Sequence, residues 1–477
     1  MKKTRLIQLL CISAAFSLVA LAGCKVPTNS DSAVTADPTV VASDTKTPAA
    51  DTTNNTDTEK ERESTTPTGG GGDSGGGSGD SGGTGGTTVD VILPSDYVRG
   101  FDASYVDQFE IDNGKKYYDT DGSQPDFFEI LKNHGINTVR LRIWVDPENA
   151  EENGIVSNDS SWVNSGMNTL ERTIRLAKRV KAAGLKIMLD FHYSDYWTDP
   201  GKQIIPKAWQ SIATADALAT KLSDYTKEVL NAMKTAEVPP DYVQVGNEID
   251  TGLFLHTSYN GSTGKTTDAN SAVQGKSGSA NFTKYLKAGC DAVRDACPSA
   301  KIILHVTNRK PTNILTTTVS SALDYDIVGL SYYSWESSHG TIKNLRDNVT
   351  AFKNTYNKAV MVVETSMYWK YGEYDANYRD LSFAAQHLVD PDTGKVYTDL
   401  TTKTVTYNGA DTLIVEGTLA NQVNTFRHII EESAQCGATG ICAWGGDMRG
   451  EWKYSFFEYE GKAMSSIDVF KVNLTAK

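Results

Sequence analysis

Two glutamates close short apolar runs: Glu248 ends Tyr242-Val-Gln-Val-Gly-Asn-Glu248, and Glu364 ends Val360-Met-Val-Val-Glu364. Short runs of apolar and β-branched residues have the pattern of buried strands. A carboxylate at the C-terminal end of such a strand stands where barrel enzymes place their chemistry. Two carboxyl groups brought together across a sugar can break a glycosidic bond, one as acid and the other as nucleophile or base.

Other strand ends carry polar and aromatic side chains that a core strand does not need. A first strand ends in Asp102, and a second carries Arg140 and Arg142 before Trp144. A third runs out into Asp190-Phe-His-Tyr-Ser-Asp-Tyr-Trp197, which contains His192 and Asp195. Asn247 precedes Glu248, His305 lies near the end of a fifth strand with Asn308 beyond it, and Tyr333, Trp335 and Trp444 follow the sixth and eighth. Together these outline a cleft whose aromatic faces can stack on sugar rings and whose polar groups can bond hydroxyls.

The elements that must position them alternate. Strands are expected at Val98–Ala103, Thr138–Trp144, Lys186–Phe191, Tyr242–Gly246, Lys301–Val306, Ile327–Tyr332, Val360–Glu364 and Gly440–Trp444. Helical periodicity falls between several of them: Phe127 to His134 stopped by Gly135, Thr169 to Ala183 stopped by Gly184, Ala217 to Ala236, Asn281 to Ala296, and Leu419 to Ala434. Alternating β and α units imply a parallel sheet, and this number of strands points to a closed (β/α)8 barrel of α/β class. A doubly wound sheet competes, but no Gly-rich phosphate loop follows the first strand. The longest connection, Met367 to Leu413, is polar and Tyr-rich and follows the seventh strand.

Not all of the 477 residues can fold. Residues 24–89 are rich in Ser, Thr, Asp and Gly and cannot bury enough apolar surface to offset their chain entropy. Residues 90–477 suffice for one large α/β domain. Residues 1–23 read as an export signal: Lys2, Lys3 and Arg5 precede an apolar stretch that ends in small residues. Leu21-Ala22-Gly23-Cys24 resembles a bacterial lipobox, which would make Cys24 the lipidated first residue of a protein held at the cell envelope by a membrane anchor. The linker behind it would reach on the order of 45 Å as a coil. The net charge of −13 argues against a nucleic-acid partner. Cys290 and Cys297 are about 10 Å apart on a straight helix, too far to bridge, whereas Cys436 and Cys442 could pair.

Several segments then resemble glycoside hydrolase family 53: Arg99-Gly-Phe-Asp-Ala-Ser104, Thr138-Val-Arg-Leu-Arg-Ile-Trp-Val-Asp-Pro147, and Ala182 to Gln203 around His192. Val243-Gln-Val-Gly-Asn-Glu-Ile249, Ile327-Val-Gly-Leu-Ser-Tyr-Tyr333 and Met361-Val-Val-Glu-Thr365 agree, and the resemblance covers about residues 96–470. It implies a retaining (β/α)8 endo-β-1,4-galactanase acting on (arabino)galactan, with Glu248 as acid/base and Glu364 as nucleophile. It also implies no cofactor in catalysis. Arg140 or Arg142 could keep Glu364 ionised, and Asn247 is placed to bond a sugar 2-hydroxyl. Some family members bind a structural calcium near the seventh and eighth loops, and the spacing of Asp390 and Asp392 makes them the candidates here. The chain departs from the family pattern at Asp250-Thr-Gly-Leu-Phe-Leu-His256 and at Trp444-Gly-Gly-Asp447. A related barrel hydrolase for another β-linked polysaccharide, and a non-catalytic glycan-binding lipoprotein, are the competing readings.

Overall fold

In the computed structural model, residues 92–157, 167–370, 376–390, 392–450 and 452–472 are described. The signal segment, Cys24 and the linker lie outside them. Eight of its strands form the central sheet: β1 (Val98–Asp102), β2 (Thr138–Ile143), β3 (Lys186–Phe191), β4 (Tyr242–Val245), β5 (Lys301–Thr307), β6 (Ile327–Ser331), β7 (Ala359–Thr365) and β8 (Gly440–Ala443). They close into a barrel in the order β1-β8-β7-β6-β5-β4-β3-β2. All neighbours are parallel, and β1 seals the ring by pairing Val98 with Gly440 on one side and Gly100 with Thr138 on the other. The strands lie within one residue of the expected bounds at each end.

The main helices are α1 (Phe127–Asn133), α2 (Leu170–Ala182), α3 (Ala215–Thr235), α4 (Ala280–Ala296), α5 (Ile342–Tyr356) and α6 (Leu419–Gln435). Four of them start the same way. The side chains of Thr169, Thr214, Ser279 and Thr418 accept the backbone N–H three residues on, satisfying a donor that the first turn leaves unpaired. α5 has a full capping box between Thr341 and Asn344. Helix residues Leu176, Leu222, Leu286 and Val349 join the outward-facing Val139, Leu141, Val360 and Val362 in one buried cluster. A second cluster lines the barrel axis: Val98, Met188, Ile303, Ile327, Met361 and Val363.

β7 breaks the alternation that this arrangement requires. With Met361 and Val363 facing the axis, strict period two would send Glu364 outward. Its pairing with β6 instead steps from Leu330↔Val362 directly to Ser331↔Glu364, and its pairing with β8 from Val362↔Ile441 to Thr365↔Ala443. The extra residue is a β-bulge, and it turns Val363 and Glu364 both toward the axis. Gly329 on β6 leaves the space: a Cβ there would stand 2.8 Å from Ile303 Cγ2 and 2.9 Å from Val363 Cγ2.

The long connections carry further structure. His256–Asn260 and Lys265–Asp268, joined by Val156–Ser157, form a small sheet after β4. The connection after β7 contains a helix, Ala376–Ala385, and a hairpin, Thr402–Tyr407 with Ala410–Val415. Cys436 and Cys442 are free thiols, as are Cys290 and Cys297. Cys436 ends α6, whereas Cys442 lies within β8, buried against Gly100 of β1. Among the described residues no helix is long and apolar enough to cross a membrane.

Candidate active site

Both glutamates reach the C-terminal mouth of the barrel. β4 gives way to Gly246 at φ 85°, and two residues on Glu248 has φ 44°. A Cβ on Gly246 would stand 2.6 Å from Ile249 Cγ2, so glycine is needed at this tight turn. One oxygen from each of Glu248 and Glu364, and one ring nitrogen of His305, lie within 4.8 Å of one another. That carboxyl separation is short of the roughly 6.5 Å that leaves room for a water in inverting enzymes.

Arg140 is the centre of the polar layer. Its Nη2 donates to Asp190 Oδ2 at 2.8 Å and to Asn247 Oδ1 at 2.9 Å, and stands 2.8 Å from Glu364 Oε1 as an ion pair. Its Nη1 donates to Asp102 Oδ2 at 2.9 Å. The choice between the two arginines is therefore made by the structure. Arg142 bonds Asp102 Oδ1 at 3.1 Å and lies between the rings of Tyr105 and Trp197, at 4.4 and 4.5 Å from their centroids. The second oxygen of Glu364 accepts from the Tyr333 hydroxyl at 2.9 Å.

These contacts separate the two carboxyls electrostatically. Burial pushes both above the ordinary glutamate value. In Glu364, Arg140 and the Tyr333 hydroxyl oppose burial. In Glu248 burial acts together with the charges of Glu364 and Asp250, with no cation beside it to oppose them as Arg140 does at Glu364, and it is driven well above its ordinary value. Glu248 is thus the carboxyl whose protonated form is favoured more, and Glu364 the one whose ionised form is supported by a cation.

The remaining expected residues divide into four groups. His305 and Asn247 join the pair directly: His305 Nδ1 lies 2.9 Å from Asn247 Oδ1, and its Nε2 lies 2.8 Å from Ser331 Oγ. Trp197, Trp335 and Trp444 are half-buried and form an aromatic wall with Tyr333, Trp452 and Tyr454. Trp144 and His192 lie buried behind Trp197, so they support that wall and present no open face. Asp195 and Asn308 do not reach the pair's network. Asp195 accepts the backbone N–H groups of Asp146 and Lys207 and ties down the loop after β3. Asn308 donates to the His339 carbonyl and accepts from Asn348, which anchors the loop after β6.

The calcium expectation does not fit the residues it named. One oxygen of Asp390 accepts the backbone N–H groups of Asp392 and Thr393, and the other is taken by the Arg346 guanidinium. Asp392 faces Lys343 at 3.3 Å and Arg346 at 3.7 Å. Cationic side chains already occupy the places where a divalent ion would have to sit. Asp190, Gln244 and Ser331 complete the network without having been singled out. Gln244 Nε2 donates to Asp190 Oδ1 at 2.6 Å and reaches His305 Nδ1 at 2.9 Å. Their signal was present: each is a polar residue on the axis side of an otherwise apolar strand.

A closed parallel barrel with two buried carboxyls at its C-terminal mouth, an arginine on one of them and an aromatic wall beside them, defines a glycoside hydrolase. The model of glycosyl hydrolase family 53 matches residues 98–475, and the chain belongs to that family. The chain is similar to an endo-beta-1,4-galactanase of Bacillus subtilis, with 34% identity over 57% of this chain and 57% of the relative. It is also similar to an arabinogalactan endo-beta-1,4-galactanase of Cellvibrio japonicus, with 33% identity over 58% of this chain and 67% of the relative. The matched region thus spans a little over half to two thirds of those relatives. Among solved structures, the family 53 catalytic domain of Ignisphaera aggregans superposes with a TM-score of 0.61 at 27% identity, over 80% of this chain and 96% of that one.

Proposed function

We propose that this protein is an endo-acting, retaining β-1,4-galactanase that cuts (arabino)galactan side chains of pectin. The observation that carries the reading is the carboxyl pair: two oxygens within 4.8 Å, with Arg140 and Tyr333 both committed to Glu364. Family membership and the names of the two relatives support the galactan substrate.

The assignment of steps follows from the hydrogen bonds. Glu364, held as carboxylate by Arg140, attacks the anomeric carbon. Glu248, whose protonated form burial favours, gives its proton to the departing glycosidic oxygen. Once Glu364 is esterified its charge is gone, so Glu248 becomes more acidic and then takes a proton from the incoming water. Asn247, with Oδ1 fixed by Arg140 and Nδ2 donating to the Thr198 carbonyl at 2.7 Å, is held rigidly beside the pair to bond the sugar 2-hydroxyl. The test uses the purified full chain with linear β-1,4-galactan and chromatography of the products. Rapid release of oligomers, lost in Glu364→Gln, is expected. Untouched galactan with another β-glycan cut would overturn the substrate assignment, and glycan binding without any cleavage would overturn the enzymatic one.

We further propose that Cys24 is lipidated and holds the domain at the bacterial cell envelope, a reading supported by the lipobox-like Leu21-Ala22-Gly23-Cys24. Release of a Cys24→Ala protein from the membrane fraction is expected, and an unchanged distribution would refute the anchor.

A further inference from the structure

Glu248 stands in a backbone conformation that a glutamate disfavours. Its φ of 44° lies in the left-handed region, and such a residue persists only where its surroundings over-determine it. Relaxing to the right-handed region would turn φ by roughly 100° and carry the side chain away from Glu364. The turn that bears it, Asn247 to Thr251, lies beyond Val245, the last residue of β4 paired to β3. Its buried carbonyls therefore need partners from elsewhere. Two of them find one in a side chain that the mechanism above does not use. Gln203, 2% exposed, lies in the loop after β3. Its Nε2 donates to the Asn247 carbonyl at 3.0 Å, to the Glu248 carbonyl at 3.3 Å and to the Asp199 carbonyl at 3.1 Å. Three acceptors around one nitrogen fix which end of the amide faces the turn.

The two carbonyls have a particular relation to Glu248. That of Asn247 belongs to the peptide unit before the Glu248 Cα, and that of Glu248 to the unit after it. Peptide units are planar, so pinning both of them fixes φ and ψ together. Gln203 is itself held from behind: its own carbonyl accepts the N–H groups of Leu255 at 2.7 Å and His256 at 3.0 Å. The same loop grips the turn at two further points. The Thr198 carbonyl accepts from Asn247 Nδ2, and the Pro200 carbonyl from Thr251 Oγ1, each at 2.7 Å. From the other side, the Ile249 N–H donates to the His305 carbonyl of β5 at 3.0 Å.

We propose that Gln203 is a positioning residue for the acid/base: by pinning the two peptide units that flank Glu248, it keeps that carboxyl in the mouth beside Glu364. Without its donors the two carbonyls are left buried and unpaired, and rotation at Glu248 relieves both that cost and the strain. Glu364 is held by Arg140 and Tyr333 and does not depend on this clasp. Loss of Gln203 should therefore impair the steps that use Glu248 and spare nucleophilic attack. The inference rests on the acid/base role given to Glu248 above.

The test uses the full chain with Gln203→Met, which keeps the length and loses the donors, beside the parent and Glu248→Ala. On galactan, whose leaving group needs a proton, kcat/KM of Gln203→Met should fall about 100-fold. On dinitrophenyl β-galactobioside, whose leaving group needs none, the first step should run nearly as in the parent. Dinitrophenolate should then appear in a burst, because the glycosyl ester on Glu364 waits for a base. Azide needs no base and should shorten the wait. Its nitrogen attacks the anomeric carbon, the ester bond breaks, and β-galactobiosyl azide leaves with Glu364 restored as carboxylate. Gln203→Glu is the conservative variant: protonated, it still donates one bond; ionised, it donates none. Relative to the parent, its rate on galactan should therefore drop as pH rises while the first step on the aryl substrate holds, a ratio that serves even where Gln203→Met does not fold. An equal loss on both substrates, without burst or azide product, while Glu248→Ala shows both, would leave Gln203 a packing residue and overturn the proposal. If Glu248→Ala shows neither, the acid/base assignment itself falls.

Discussion

The two ends of the barrel axis are built from the same strands and have opposite chemistry. At the N-terminal end, Val98, Met188, Ile303, Ile327 and Met361 pack side chain to side chain without a polar atom among them, save for the thioethers. One layer further along, β1 to β6 present Asp102, Arg140, Asp190, Gln244, His305 and Ser331, each engaged in a hydrogen bond. The lower layer depends on volume and tolerates change of shape poorly. The upper layer depends on pairing, where removal of one member leaves others buried and unsatisfied. Stability and chemistry are divided along the strands rather than between them.

Substitutions at the two ends should separate accordingly. Glu364→Gln should lower kcat by about 10⁴-fold or more while the unfolding midpoint stays near that of the parent, measured by product release and calorimetry. Arg140→Ala sits where the two roles meet. It should destabilise by about 3–5 kcal/mol in denaturant unfolding, because it strands the carboxylates of Asp102, Asp190 and Glu364, and it should abolish activity as well. Met361→Ala at the apolar end should cost about 2–5 kcal/mol in the same assay, with the turnover of the folded fraction unchanged. A matching loss of turnover would mean that the layers are coupled. Tyr333→Phe removes one charge-assisted bond to Glu364, so an activity loss of about 10- to 100-fold with little change in stability is expected.

The smallest effect concerns Asp447, on the rim between β8 and β1. It accepts the Tyr105 N–H at 2.9 Å through Oδ2, while Oδ1 has no partner. Burial, reinforced by Asp102 and only partly offset by Arg142, pushes its carboxyl up to about 8. A carboxyl raised in the folded state contributes stability below its unfolded value that is lost as pH rises through the folded one. Asp447→Asn should therefore melt a few degrees higher than the parent at pH 8 and no higher at pH 4. Equal shifts at both pH values would show that Asp447 titrates normally.

Much of this was legible in the residue order. All eight strands and the position of both glutamates follow from apolar runs with polar ends, because burial on both faces of a parallel strand leaves that mark. The bulge in β7 was not legible. Val363 and Glu364 read as consecutive members of an alternating strand, and only pairing with β6 and β8 reveals that both face the axis. α5 was passed over although Thr341 and Asn344 mark its start. The hairpin Thr402–Val415 was read as plain connection, although Asn408-Gly409 at its tip, with φ 51° and 76°, is the residue pair that a two-residue hairpin turn requires. Asp195 and Asn308 tie down loops beside the mouth, and because loop ties and ligand contacts draw on the same residue types, spacing does not tell the two apart.

The backbone at Glu248 has one more consequence, for how such a protein can change over generations. A non-glycine residue at φ 44° is strained by about 1–3 kcal/mol, and its side chain is a carboxyl that burial disfavours. On heat resistance alone, glycine would be the fitter residue at this position, and a population selected only for durability would drift to Glu248→Gly and lose the reaction. Glutamate at this position costs the fold stability, which is what a residue placed for chemistry rather than for packing would do.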